Sequence, residues 1–261
     1  MRRRGSRLRV SNGNILNVTE EAYIADTIAK WGISSGWAFR FSMDRTKFFI
    51  GTPGSSTPNY SLLCPTTNIN DWTLGTSGIV TQMRSIHIST DGTKVFGQIF
   101  NISQWTLSTP FDLNTATFNG SFAIPNWCYG VFMNPEGTKM VLAIANGGLK
   151  LIEYALATAN TVTSGVTEVR SVTLGFNPDG IVYYNSGNNL IIGQGGGTFY
   201  KCSVTTPYTL EGFVLGDIIM TAADISNTSG SGIHSIEINE IAKKLYIMGV
   251  GTMWQFSYTN I

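Results

Sequence analysis

Charge is scarce in this 261-residue chain: Asp, Glu, Lys and Arg together make up 13% of it, about half the usual share of a soluble domain. Histidine is scarcer still. With 2 in the chain no His-rich metal site can be built, and no Asp/Asn loop has the spacing of a calcium site. The three cysteines, Cys64, Cys128 and Cys202, lie 64 and 74 residues apart with no C-x-x-C pair. An odd, unclustered set argues against both a disulfide framework and a zinc site, so each is read as a small buried hydrophobe. No segment approaches the ~18 consecutive apolar residues of a membrane-crossing helix, and no membrane insertion is expected. No metal and no cofactor is expected either.

Short neutral polar residues take the place of the missing charge. The chain has 23 Ser, 30 Thr, 20 Asn and 29 Gly, 102 of 261 residues or 39%. Thr suits strands, while Gly, Asn and Ser suit tight turns. The composition therefore predicts an all-β protein with many short connections. It argues against a helical bundle, a coiled coil or a disordered chain. The length is ample for a large core.

Self-similarity fixes the architecture more closely. Ser85-Ile86-His87-Ile88-Ser89-Thr90-Asp91-Gly92-Thr93-Lys94-Val95-Phe96 matches Gly130-Val131-Phe132-Met133-Asn134-Pro135-Glu136-Gly137-Thr138-Lys139-Met140-Val141, each a strand, a Gly-containing turn and a second strand. The pattern recurs at Ala38 to Phe49, and in weaker form at Gly180 to Ile191 and Ser235 to Tyr246. The turn positions Asp44, Asp91, Glu136, Ser186 and Glu240 are spaced by 47, 45, 50 and 54 residues, giving five copies of a unit near 49 residues. A third strand follows in each copy. Its apolar columns are Leu62, Trp105, Tyr154, Cys202, Phe256 and, two residues on, Cys64, Leu107, Leu156, Val204, Tyr258, the period of a strand packed on one face. A fourth strand follows in most copies. Four antiparallel strands every ~40–50 residues is the signature of a propeller blade.

The last copy stops at Ile261, after its third strand. The segment Leu16-Asn17-Val18 through Tyr23 to Ile28 matches Phe111-Asp112-Leu113 through Phe118 to Ala123, which leads into a fourth strand. The N-terminal segment is therefore expected to supply the missing outer strand of the last blade, so that no strand edge is left exposed. The expected fold is a single five-bladed β-propeller of four-stranded antiparallel blades. Its parts are a basic arm at 1–13, a closing segment at 14–31, and blades near 36–82, 83–127, 128–177, 178–230 and 231–261.

The DGTK-type hairpin, the aromatic-x-Leu-Ser-Thr third strand and the Phe-Asp-Leu step resemble a propeller repeat of bacteriophage virion proteins. The repeat is also similar to the Asn/Gly-rich repeats of microbial surface-layer and secreted propellers. The likeness covers residues 16–261 and is strongest over 83–158. It implies architecture first, and then a place in a virion: tail, fibre or outer capsid decoration, made in the host cytoplasm.

One column invites a ligand. Before the small residue that opens each first strand (Ala38, Ser85, Gly130, Gly180, Ser235) stand Trp37, Arg84, Tyr129, Asp179 and His234. Small residues fit where five inner strands converge, so the column before them should ring one mouth of the central channel. Two aromatics with an Arg, an Asp and a His are suited to a sugar. A lectin built from repeats would keep the same groups in several blades, whereas here every blade differs. Five-bladed glycosidases place three carboxylates around the channel, the working pair ~5–9.5 Å apart. This column offers only Asp179, with Glu237 deeper, so hydrolysis is not expected. His87 shares a column with Arg40, Phe132, Val182 and Glu237 and reads as unconstrained. Gly193-Gln194-Gly195-Gly196-Gly197 precedes a strand, Thr198-Phe199-Tyr200, and not the helix a phosphate loop needs.

Charge is unevenly placed. Arg2, Arg3, Arg4, Arg7 and Arg9 are five of the 17 basic residues, and the rest of the chain carries 12 basic against 16 acidic residues. The arm resembles the start of a signal peptide, but Val10-Ser11-Asn12-Gly13-Asn14 stands where an apolar stretch would follow, so secretion by that route is not expected. No basic face of a nucleic-acid-binding domain is present. The expectation is a non-enzymatic virion component whose arm docks onto acidic surfaces of other structural proteins or of its own copies. A glycan-binding, lectin-like module is the alternative, and a propeller glycosidase comes last.

Overall fold

The computed structural model describes residues 7–11, 14–24, 33, 36–97, 100–225, 233–249 and 252–259. Strands β1 (Arg7–Ser11) and β2 (Asn14–Ile24) come first. Blade one follows as β3 (Ala38–Phe41), β4 (Lys47–Gly51), β5 (Pro58–Leu63) and β6 (Thr73–Val80), and blade two as β7 (Ile86–Ile88), β8 (Lys94–Gly97), β9 (Asn101–Leu107) and β10 (Ala116–Ala123). Blade three is β11 (Cys128–Met133), β12 (Lys139–Ile144), β13 (Lys150–Leu156) and β14 (Val166–Thr173). Blade four is β15 (Pro178–Tyr184), β16 (Asn189–Gln194), β17 (Thr198–Ser203) and β18 (Val214–Met220), and β19 (Ile233–Asn239), β20 (Lys244–Gly249) and β21 (Thr252–Tyr258) belong to blade five. Each blade is an antiparallel meander, and the first strands neighbour one another in the cyclic order β3, β7, β11, β15, β19 and back to β3. This is a closed five-bladed β-propeller.

The repeated turn has a side-chain explanation. Ser89 Oγ donates to Asp91 Oδ1 at 2.6 Å, and the same carboxylate accepts from the Thr93 N–H at 3.0 Å and the Thr93 hydroxyl at 2.8 Å. Ser42, Asp44 and Thr46 repeat the arrangement at 2.6, 3.1 and 2.8 Å. In blade three Asn134 replaces the serine, accepting from the Thr138 and Lys139 N–H groups at 2.9 and 2.8 Å and donating to Glu136 at 2.7 Å. Short polar side chains thus set the hairpin geometry locally, before any packing is required.

Between blades the third-strand columns are the core. Leu62, Trp105, Tyr154, Cys202 and Phe256 are all buried, as are Cys64, Leu107, Leu156, Val204 and Tyr258. All three cysteines are free thiols inside. Burial pushes the Cys128 and Cys202 thiols up to about 12, which leaves them unreactive at neutral pH.

The ring closes through the N-terminal segment. β2 pairs with β21, Val18 opposite Tyr258 and Tyr23 opposite Trp254, so β2 is the fourth strand of the last blade. The register differs by three residues from the sequence match. Ala116, and not Leu113, is the counterpart of Val18, because it stands opposite Leu107 just as Val18 stands opposite Tyr258. The cause is local: a 3-10 turn at Leu113–Thr115 leads into β10, whereas a hairpin leads into β2.

That hairpin adds a fifth strand. β1 lies on the outer edge of blade five, Arg7 opposite Val18 and Ser11 opposite Asn14. Arg7 and Arg9, assigned to the arm from sequence, stand on this strand, while Arg2, Arg3 and Arg4 lie outside the described residues.

Candidate functional site: the two mouths of the channel

The five first strands approach so closely at one level that the channel narrows to a neck. A Cβ on Gly130 would lie 3.0 Å from Gly180 Cα, and one on Gly180, at φ +98°, would lie 3.2 Å from the His234 carbonyl oxygen. The column Ala38, Ser85, Gly130, Gly180, Ser235 therefore has to be small. The space left at this neck is about 10 Å³, room for roughly one water. The neck divides the axis into two separate mouths.

At the near mouth all five residues singled out from sequence converge. The Arg84 guanidinium lies between two aromatic faces, 3.8 Å from the Tyr129 ring centroid and 4.5 Å from that of Trp37. His234 Nδ1 is 3.1 Å from Asp179 Oδ2 and 3.4 Å from Arg84 Nη2. Both contacts meet one ring nitrogen, which can donate to the carboxylate or accept from the guanidinium but not both. Asp179 and His234 are both buried. Burial raises the Asp179 pKa above the ordinary value, against the pull of the His234 hydrogen bond and of the His234 and Arg84 charges. Asp179 Oδ1 has no hydrogen-bond partner among the described residues.

The aromatic edge runs further than the sequence column. Trp127 lies 6.2 Å from Tyr129, and Phe100 meets Trp127 edge-on at 5.7 Å. These two rings are 36% and 52% exposed. With Tyr129 they make an aromatic run that reaches Trp37 through the Arg84 guanidinium, and Asn126-Trp127, just before a first strand, is the sequence signal that marks it.

The far mouth is built by the column that reads as unconstrained in sequence. Arg40 donates to Glu237 of the neighbouring blade five, Nη1 to Oε1 at 2.8 Å, with Glu237 buried and Arg40 partly buried. The Arg40 guanidinium also covers the Phe132 ring at 4.6 Å, and His87 meets the same ring at 5.8 Å. Residues of one column, each arbitrary in its own blade, thus meet at the axis. Beyond them opens a cavity of about 260 Å³ that also takes in Tyr184, Ser186 and Tyr208. Among the described residues no group of three or more His, Cys, Asp or Glu side chains has the arrangement to hold a metal ion.

Fold and site together define a class: a closed five-bladed β-propeller with two separate axial mouths. The chain is similar to several solved structures. A functionally unknown protein from Desulfotomaculum acetoxidans aligns with a TM-score of 0.51 at 12% identity, over 83% of this chain and 63% of that one. Hydrazine synthase of Kuenenia stuttgartiensis aligns with a TM-score of 0.50 at 11% identity, over 84% of this chain and 56% of that one. The β-propeller domain of Cps50 (Swd1) from Myceliophteria thermophila gives a TM-score of 0.45 at 14% identity, over 82% and 62% of the two chains. The chain spans less than two thirds of each of these structures. No protein-family model matches it and no curated protein is similar in sequence. At such identities the likeness is one of fold alone.

Proposed function

We propose that the chain is a non-enzymatic structural component of a bacteriophage particle, in the tail, a fibre or the outer decoration. The closed ring is its rigid body, and the basic N-terminal residues dock it to acidic surfaces of neighbouring virion proteins and copies of itself. The repeat-level resemblance over 16–261 supports the setting. The observation that carries the non-enzymatic reading is how the channel acids are engaged. Asp179 is held by His234, and Glu237 by Arg40 on the other side of the neck, which leaves, among the described residues at the axis, no facing pair of free carboxyls of the kind glycoside hydrolysis uses.

The Phe100–Trp127–Tyr129 run, exposed at Phe100 and Trp127, favours a second element of the same reading: the near mouth contacts glycan on the host surface. Flat aromatic faces beside charged and hydrogen-bonding groups suit a sugar's C–H face and hydroxyls together.

Docking is tested by replacing Arg2, Arg3 and Arg4 with Gln, which leaves β1 intact. Particles carrying the variant are expected to shed it at lower salt than particles carrying the native chain, because the lost contacts are ionic. Equal retention at every salt concentration would remove the arm from the account.

A further inference from the structure

Of the five side chains at the near mouth, Trp37, Arg84 and Tyr129 are part-exposed, while Asp179 and His234 are buried. A ligand arriving there therefore meets two rings and one cation. The acid of the column is not presented to it. Asp179 is 4% exposed, and its Oδ2 lies against His234 Nδ1 at 3.1 Å.

Arg84 stands without a carboxylate. Elsewhere on the ring Arg40 pairs with Glu237 at 2.8 Å and Arg170 with Glu153 at 3.1 Å, whereas Arg84 makes no ion pair among the described residues. Its polar neighbours are His234 Nδ1, 3.4 Å from Nη2, and the Tyr129 hydroxyl, which burial holds in its neutral form. The Arg84 charge reaches Asp179, but the two are not paired. A guanidinium drawn part-way out of water with no anion beside it is completed by an anion from outside.

The rings set how that anion approaches. With its centroid 3.8 Å from the guanidinium carbon, Tyr129 stacks on the group, and Trp37 lies at 4.5 Å. Hydrogen bonding is left to the N–H groups along the edge of the guanidinium plane. Among the anions a sugar can carry, a carboxylate is planar and takes such an edge in two parallel N–H···O bonds. Trp127 and Phe100 then continue outward from Tyr129, with ring separations of 6.2 and 5.7 Å.

We infer that the glycan of the near mouth is acidic: the carboxylate of a uronic or sialic acid residue pairs with the edge of Arg84, and the sugar chain runs outward over Trp127 and Phe100. The inference rests on the reading of this mouth as a glycan contact and names the class of sugar it takes. Uronic and sialic acids share the carboxylate and differ in the ring that carries it.

The test is titration of the full chain by calorimetry and saturation-transfer NMR with matched methyl glycosides. Glucuronide is compared with glucoside and galacturonide with galactoside, pairs that differ only in a carboxylate against a hydroxymethyl group. A methyl sialoside is the third acid, and inorganic phosphate is the charged control. At least one acid is expected to bind about tenfold or more tighter than the neutral sugars, the gain of a charge-assisted pair over a neutral hydrogen bond. Binding of a uronide or of the sialoside identifies the ring, and either supports the site. Arg84→Gln is expected to bring the acid down to the affinity of its neutral partner, and Arg84→Lys, which keeps the charge without the fork, to restore only part of the preference. If Arg84→Gln does not fold, the matched pairs on the native chain still decide. Neutral sugars bound as tightly as the acids would overturn the inference and leave the glycan contact standing, whereas no binding of any sugar would remove both. Acid preference retained in Arg84→Gln, or phosphate bound as tightly as the acid sugar, would also overturn it.

Discussion

Gln255 on the last strand accepts the backbone N–H of Ile69, in blade one, at 2.9 Å. The same bond recurs around the ring: Gln104 accepts the Val162 N–H at 2.9 Å, and Glu153 the Leu210 N–H at 2.7 Å. In each case a third-strand side chain reaches into the next blade and satisfies a buried donor. Blade one makes the equivalent step with Thr76, whose hydroxyl accepts the Leu113 N–H at 3.3 Å. Gln255 therefore latches the end of the chain to its beginning, beside the β2–β21 pairing.

Gln255→Leu should weaken this closure specifically. It leaves the Ile69 N–H buried without an acceptor, at a cost of about 1–3 kcal/mol. In a chain of this size that corresponds to a melting temperature lower by roughly 3–10 °C, measured by calorimetry. No change would mean that closure rests on strand pairing alone.

Acid should loosen the hairpins. Asp91 is pushed up by burial, but hydrogen bonds from Ser89 and Thr93 outweigh that and hold its pKa below the ordinary 3.8; Asp44 behaves alike. A carboxyl lowered by folding stabilises the fold above its unfolded pKa and loses that contribution as pH falls through the lower folded value. The loss is therefore expected below about pH 4. Asp91→Asn together with Asp44→Asn should flatten this part of the acid profile. An unchanged profile would refute the role of the two turns.

At the near mouth, Trp37→Ala with Tyr129→Ala strips both faces from Arg84, each face worth about 0.5–2 kcal/mol. The double variant is expected to remain folded by circular dichroism and to lose binding on a glycan array. Trp127→Ala should weaken binding through the outer end of the rim. Binding unchanged in all of these variants removes glycan contact from this mouth.

A chain beginning at Asn14 keeps the closing strand and loses β1. The outer edge of β2 is then unpaired, and open strand edges invite pairing between molecules. Light scattering is expected to show open-ended aggregation of the shortened chain at concentrations where the full chain, whether alone or docked to its copies, keeps one defined mass. A single unchanged mass for both would show that β1 does not guard the edge.

Much of this was legible in the sequence because propeller repeats solve their local problems with local residues. Asp91, Gly92 and Thr93 announce a turn that needs nothing else, and Gly130 or Gly180 announces a crowded axis. The near-mouth column was found because it sits directly before those small residues. The far mouth was not found. Arg40 and Glu237 are 197 residues apart, and a column that differs in every blade reads as noise until the ring sets its members face to face. β1 has a strong hairpin signal in Asn12-Gly13 between the two N-terminal strands, but its arginines give it the composition of a solvated arm rather than of a strand. The three-residue register difference in β2 has a like origin, since alternation alone does not record how a strand is entered.

The central claim is the place of the chain in a particle, and purified phage particles test it directly. Quantitative mass spectrometry of gradient-purified particles, with gold-labelled antibody against the propeller, is expected to find the chain in fixed proportion to the other structural proteins and the label on the outer surface. Its absence from particles, with all of it recovered free in the lysate, would contradict the account.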